Sequence, residues 1–444
     1  MTSKPTLTEP GTSKRSIEWA NLAPLVTLLA IVVIFGFLAS EFFSLGTITQ
    51  TLKRGAVLAI VSTGLTFVLL CAEIDLSVGT MALLSACVCG VLWSQPFSAD
   101  ARTAQAARIA AGRELNSAIE RRNTAEKKRE GAVKERDEAP QSLDEKRRAE
   151  LEKIIRDATD VIDKANEVIP RVTPATVVAA VEVRTTMVVL ALPFLVALVL
   201  GVVSGSLTVS SGLPSFIITL AMMNIAIGLS RFLTLSQKYD VPQFLKNLGN
   251  SPLLKWELFA KNYLEIPQSA ALAAVVMLAA HLVLQHTRFG RYVYMTGGNR
   301  QAARLAGVRT ERIVVACLMI CAVTAACGGL VNAGRLESVS LDQNADLLLE
   351  AVACVVLGGT SLFGGEGGIG RTAVGVLTFT ILRVGLEATN PEKLVKASWL
   401  PDAWKQDLVK MSWVTQFDLL RPFLLGIVLM LALVIHGKLV KHKD

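Results

Sequence analysis

The sequence predicts an all-α polytopic membrane protein of about ten transmembrane helices, with two Gly/acid-interrupted segments and one inserted charged helical hairpin. Three observations predict it. Hydrophobic residues make up 52% of the 444, at a mean hydropathy of +0.48. Several windows stay apolar over the roughly 17–25 residues needed to cross a bilayer core. One stretch, 98–185, breaks that pattern: between 100 and 171 it holds 17 Lys and Arg against 16 Asp and Glu. The net charge of +8 does not indicate a nucleic-acid partner, because membrane proteins collect Lys and Arg in their cytoplasmic loops.

Residues 1–20 read as a polar cytoplasmic tail. The N-terminal membrane part covers 21–97. Its first span is 22–39. Its second, 55–72, runs directly into Glu73-Ile74-Asp75-Leu76-Ser77-Val78-Gly79, after which apolar sequence resumes to Trp93. An Asp at the bilayer centre costs roughly 2.5–3.5 kcal/mol. Glu73 and Asp75 therefore either face a transport path or shape a tight turn. In the turn reading Asp75 N-caps the third helix and Glu73 stays wet.

Residues 98–185 read as a helical hairpin, placed on the outer side. The arm 101–138 is rich in Ala, Glu, Arg and Lys, and a break follows at 139–142. The arm 143–169 carries a heptad-like stripe of Leu151, Ile154, Ala158, Val161 or Ile162, Ala165, and Val168 or Ile169.

The C-terminal membrane part is 186–444. Spans are expected at 187–209, at 214–235 and, after a polar and aromatic loop at 236–265, at 266–284. The loop 287–312 carries Arg288, Arg291, Arg300, Arg304, Arg309 and Arg312 against one acid, Glu311. Within it Gly297 and Gly298 read as a turn. Asn299 is placed to cap a short helix over 300–306, and Gly307 to end it in a left-handed conformation. A span at 313–331, a polar loop and a short run to Leu357 follow. The glycine-rich stretch 358–370, a ninth run to Val384, a Trp-bearing loop at 387–418 and a tenth run at 419–435 complete the chain.

Ten crossings put both termini on one side. The positive-inside rule makes that side, and loop 287–312, cytoplasmic. The seven cysteines lie in apolar runs without CxxC pairing and read as small buried hydrophobes. No cofactor, metal site or catalytic constellation is expected. There is no Walker-type GxxxxGK[ST], so any ATP is hydrolysed by another chain. The segment 365–370 formally matches GxGxxG, but no β-α-β unit surrounds it. Two glycine- or acid-broken apolar segments, one in each half, are the sequence pointer to a transporter's central site.

Four stretches together resemble the membrane permease of bacterial ABC importers for simple sugars, the ribose and xylose group. They are Ala72-Glu73-Ile74-Asp75-Leu76-Ser77-Val78-Gly79; Leu213-Pro214-Ser215-Phe216-Ile217-Ile218-Thr219-Leu220-Ala221; Phe289-Gly290-Arg291 through Gly297-Gly298-Asn299, Ala302-Ala303-Arg304-Leu305 and Gly307-Val308; and Gly358-Gly359-Thr360-Ser361-Leu362 with Gly364-Gly365. The resemblance implies a multi-pass subunit of the bacterial inner membrane, set in lipid and paired with a second permease, itself or a homologue. It implies ATPase subunits on the cytoplasmic face and a periplasmic sugar-binding protein outside. The ATPase-coupling residues would be Gly297, Gly298, Asn299, Ala302, Ala303, Arg304, Leu305 and Gly307. Those along the path of a pentose-like sugar would be Glu73, Asp75, Ser77, Gly79, Phe216, Thr219, Asn224, Thr360 and Ser361. The chain departs from the group in its charged insert, in Leu348-Leu349-Glu350 where Glu-Leu-Asp is common, and in a longer 387–418. Two other readings stay open: the same fold with other cargo (a branched amino acid, a nucleoside, a signalling sugar), and a membrane scaffold working through the hairpin.

Overall fold

The computed structural model describes residues 19–39, 42–94, 99–138, 145–172, 178–259, 262–344, 346–389, 420–421, 423–427 and 430. In chain order the elements are α1 (Trp19–Leu38), α2 (Leu45–Leu70), α3 (Val78–Ser94), α4 (Ala99–Glu138), α5 (Glu145–Val172), α6 (Val178–Ser211) and α7 (Ser215–Thr234). Then come β1 (Tyr239–Asp240), α8 (Gln243–Asn250), β2 (Pro252–Phe259), β3 (Asn262–Pro267), α9 (Gln268–His286), α10 (Arg288–Gly298) and α11 (Arg300–Leu305). The last are α12 (Thr310–Arg335), β4 (Ser338–Val339), α13 (Leu347–Leu357) and α14 (Ile369–Ala388). The chain divides into two compact units, Met1–Val91 with Leu190–Asp444, and Leu92–Val189.

The larger unit is built around α2. Ser44 starts this helix, its Oγ accepting from the Thr47 amide at 3.2 Å. Every residue from Ala56 to Leu70 is buried. A helix apolar on all sides has to be covered on all sides, and α9, α12, α13 and α14 supply the cover. Small residues allow the close approach, as expected where packing rather than water exclusion drives association. Gly64 lies against the Cys321 backbone and the Thr324 side chain, and Gly329 against the Ala82 backbone, with no room at either place for a Cβ. By contrast most residues of the membrane-length parts of α6, α7 and α9 are not fully buried.

Among the described residues six helices are long and apolar enough to cross a membrane: α2, the Met187–Ser211 part of α6, α7, α9, α12 and α14. Three shorter apolar helices accompany them, Pro24–Leu38, Val78–Ser94 and Leu347–Leu357. The expected tenth run, 419–435, and the Trp-bearing loop fall largely outside the described residues.

The loop expected at 236–265 has structure of its own. It holds α8, the antiparallel pair β2–β3, and β1, which pairs antiparallel with β4 beyond α12 in the register Tyr239↔Val339. The cysteines are buried and unbridged except Cys327, which is half-buried.

In the smaller unit α4 and α5 pack against each other. Forty residues make α4 about 60 Å long at ~1.5 Å per residue. The predicted stripe faces the partner helix: Leu151, Ala158, Ile162 and Ala165 are buried. The choice between Val161 and Ile162 falls to Ile162, since Val161 is 40% exposed. Side chains 168 and 169 and the break at 139–142 lie outside the described residues.

Candidate functional site

The loop between α9 and α12 folds as two short helices. Thr287 caps α10, its Oγ1 accepting from the Gly290 amide at 3.2 Å. Asn299 caps α11, its Oδ1 accepting from the Ala302 amide at 2.9 Å. Gly307 closes α11 at φ +82°, and the Val308 amide donates to the Ala303 carbonyl at 3.0 Å. The expected Gly297–Gly298 turn is instead the last residue pair of α10. The reason lies in contact: the Gly297 Cα faces the Leu70 carbonyl and the Gly365 amide, and no side chain fits between them. Ala303 points inward, while Leu305 is 91% exposed. Arg304 is turned back onto the start of α12, donating from Nε to Thr310 Oγ1 at 3.1 Å and pairing with Glu311 at 2.5 Å.

Both interrupted segments meet this loop. The Gly365 amide donates to the Leu70 carbonyl at 3.0 Å, which ties the glycine-rich stretch to the end of α2. Gly364, at φ +88°, sits on Ala72 and on the Gly297 carbonyl. Tyr294 of α10 donates to the Gly367 carbonyl at 3.0 Å. Burial pushes that phenol's pKa up, against the opposing pull of Arg371, so it stays a protonated donor. Arg300, the first residue of α11, pairs with Glu73. Glu73 is buried at 8% exposure, so it is dry and paired rather than wet. Thr360 and Ser361 serve the same stretch. The Gly368 amide donates to Thr360 Oγ1 at 3.4 Å, and the Phe363 amide to Ser361 Oγ at 3.1 Å.

The remaining residues expected along the path fall into three places. Asp75 and Ser77 are buried in the unwound link between α2 and α3. Asp75 Oδ1 accepts from the Ser77 amide at 2.8 Å and from Ser77 Oγ at 2.6 Å. α3 itself begins at Val78, so Asp75 bonds just ahead of the helix. Thr219 is fully buried and is spent on backbone: it accepts from the Leu76 amide at 3.1 Å and donates to the Ile74 carbonyl at 3.2 Å. Ser215 takes the Ile74 amide at 2.9 Å. Gly79 packs on the start of α13, facing the Asn344 carbonyl and the Leu348 amide. Phe216 and Asn224 lie on the open face of α7, where Asn224 donates to the Leu220 carbonyl at 2.9 Å.

A second polar cluster went unread in the sequence. At the opposite ends of α2, α12, α13 and α14, Arg54 pairs with Glu387, and Arg383 pairs with Glu350. The available signal was charge inside apolar runs: Arg383 and Glu387 stand four apart on α14, and Arg54 lies ten residues into α2.

A bundle of membrane-crossing helices with two unwound segments, one held to α11 through Arg300 and the other to α10 through Tyr294 and Gly297, makes a multi-pass membrane protein. The family model described as "branched-chain amino acid transport system / permease component" matches residues 47–433, and the chain belongs to that family. It is 26% identical over 362 residues to the ribose import permease protein of Escherichia coli, covering 82% of this chain and 84% of the relative. It is 31% identical over 197 residues to the galactose/methyl galactoside import permease protein of Haemophilus influenzae, 42% of this chain and 55% of the relative. It is 32% identical over 192 residues to the fructose import permease protein of Bifidobacterium longum, 42% and 52%. No solved structure matches this chain.

Proposed function

We propose that this chain is the translocating subunit of a bacterial ABC importer for a small, pentose-like carbohydrate. The transporter sits in the inner membrane with both termini cytoplasmic. The relatives named for ribose, galactose and fructose support the cargo class. The observation that carries the mechanism is α11. It is capped at both ends, presents Leu305 outward, and is fixed to Glu73 and, through α10, to Leu70 and Gly365. A separate ATPase subunit docks on 287–312, with Leu305 in its groove. Movement imposed on α11 passes through Gly297 and Arg300 into both interrupted segments. A second permease faces the open side of α6, α7 and α9, and a periplasmic sugar-binding protein delivers cargo at the far end. The units 1–20, 21–97, 98–185 and 186–444 serve as tail, first membrane part, accessory hairpin and second membrane part.

Leu305→Asp and Gly298→Trp test the docking. Both positions face open space, so stability stays within about 0.5 kcal/mol while ATPase co-purification and sugar uptake are lost. Unchanged co-purification would overturn the docking assignment. The family description favours branched-chain amino acids as a second reading of the cargo. A ligand panel scored by thermal stabilisation of the cognate binding protein separates the two.

A further inference from the structure

The hairpin of α4 and α5 carries a groove of about 1000 Å3 along one side. Two contacts fix its register: Arg147 of α5 pairs with Glu135 of α4 at 3.0 Å, and Ala125 packs with Ala158 and Ile162. Thr124 and Gly131 lie on the α4 side of the groove, Ile154 and Val161 on the α5 side. A Cβ added at Gly131 would meet nothing within 4 Å. Val161 is 40% exposed and Ile154 is half-buried. One side of the groove is therefore recessed, and the other projects apolar side chains.

The two rims differ in charge. Lys127 and Lys128 of α4 reach the groove from one side, and Asp157 of α5 from the other. The register of the hairpin sets these three level with one another. Among the described residues none of the three makes an ion pair, whereas Arg147 is held by both Glu135 and Glu150. Glu120 and Arg121, further along α4, are adjacent and offset one another. An apolar seam flanked by opposite charges is the pattern that sets partner and register between helices. A two-fold axis along the groove exchanges its rims. It lays the Lys127 and Lys128 edge of one hairpin against the Asp157 edge of another at the same level. It also lays Ile154 and Val161 over the recess at Thr124 and Gly131. The surface is complementary to itself, as a two-fold contact requires.

We propose that this groove takes the same hairpin of a second copy of the chain, so that two hairpins close into a four-helix bundle. The pairing rests on the two-permease reading given above and makes the second permease a copy of this chain. Two copies in one membrane are inserted the same way round, so their hairpins leave from the same side and run in parallel. Each α4 then lies antiparallel beside the other copy's α5, as neighbours do in an up-down bundle. The near balance of charge over 100–171, 17 basic residues against 16 acidic, permits such contact, where a surface of one sign would repel its copy. A permease without the insert offers nothing to either rim, so the bundle joins like with like.

The test co-expresses two full-length chains with different tags, one carrying Thr124→Cys and the other Val161→Cys. Both positions are exposed, and the native cysteines are buried or half-buried, so the added thiols are the ones that copper-phenanthroline oxidises in isolated membranes. A disulfide carrying both tags is expected, in clear excess over the linked pairs of either variant expressed alone, whose like positions face each other across the bundle. Asp157→Lys in both chains lowers the yield about fivefold, since partly exposed ion pairs give way to repulsion. Adding Lys127→Asp and Lys128→Asp restores it. Light scattering of the purified chain gives its oligomeric state alongside. A dimer without the two-tag disulfide overturns the bundle and leaves the two-permease reading standing. A disulfide formed with a different protein in its place does the same. A yield indifferent to the charge swap overturns the two-fold pairing of the rims. A chain that is monomeric throughout overturns the bundle and the pairing of copies together.

Discussion

The two ends of the bundle are held by different chemistry. At the α11 end the joints are made by backbone: the Gly365 amide on the Leu70 carbonyl, Gly297 pressed between them, and Gly364 on Ala72. At the far end they are made by long side chains, Arg54 with Glu387 and Arg383 with Glu350. Backbone contacts have no rotamers to lose and no reach to spare, so they pass displacement without slack. Ion pairs between flexible side chains can break and re-form, and each group can exchange its partner for a ligand. The first kind suits an end that must follow a motor. The second suits an end whose helix contacts can be broken and remade.

The difference can be broken most severely at Gly297. Gly297→Val forces a branched side chain into the Leu70 carbonyl. Overpacking of this kind costs about 1–3 kcal/mol, and thermal unfolding in nanodiscs should show it together with complete loss of uptake. An effect smaller than that of any far-end variant would refute the contrast. Glu73 and Arg300 form the exception at the α11 end, a side-chain joint with one buried partner. Arg300→Gln leaves that carboxylate without its cation. The buried-pair cost of roughly 3–5 kcal/mol must be discounted for Arg300, which is 42% exposed. A loss of about 1–2 kcal/mol is expected, and Glu73→Gln in the same chain recovers part of it in a double-mutant cycle. The smallest effect is expected at the far end. The Arg54–Glu387 pair is partly exposed, at 28% and 35%. Glu387→Gln should therefore cost at most about 1 kcal/mol, with the difference shrinking as salt is raised. A cost that ignored salt would mean the pair is rigid, like the α11 end.

What the sequence disclosed follows the same division. Local signals were legible: Asn299 and Gly307 bracket α11 as read, and the apolar stripe from Leu151 to Ala165 faces α4. Partnerships across the chain were not. Glu73 and Arg300 are 227 residues apart, Arg54 and Glu387 are 333 apart, and no local periodicity links them. Gly297 and Gly298 show why even a strong local cue can mislead. Two adjacent glycines read as a turn, yet here they form the last two residues of α10, and Gly297 is needed for its close approach to Leu70. Thr219 illustrates the converse. A hydroxyl on an apolar helix suggests cargo contact, but this one is consumed by the unwound backbone at Ile74 and Leu76.

The brevity of α13 has its own consequence. Eleven residues make it about 16 Å long at ~1.5 Å per residue, roughly half of a ~30 Å hydrocarbon core. It lies along α2, where Ser62 meets the Ala351 carbonyl. Polar chain flanks it at both ends, Asn344 and Asp346 before it and the glycine-rich stretch after it. The insulating layer beside α2 is therefore only about three helical turns deep along this line. A solute passing there would cross a barrier thinner than the membrane around it.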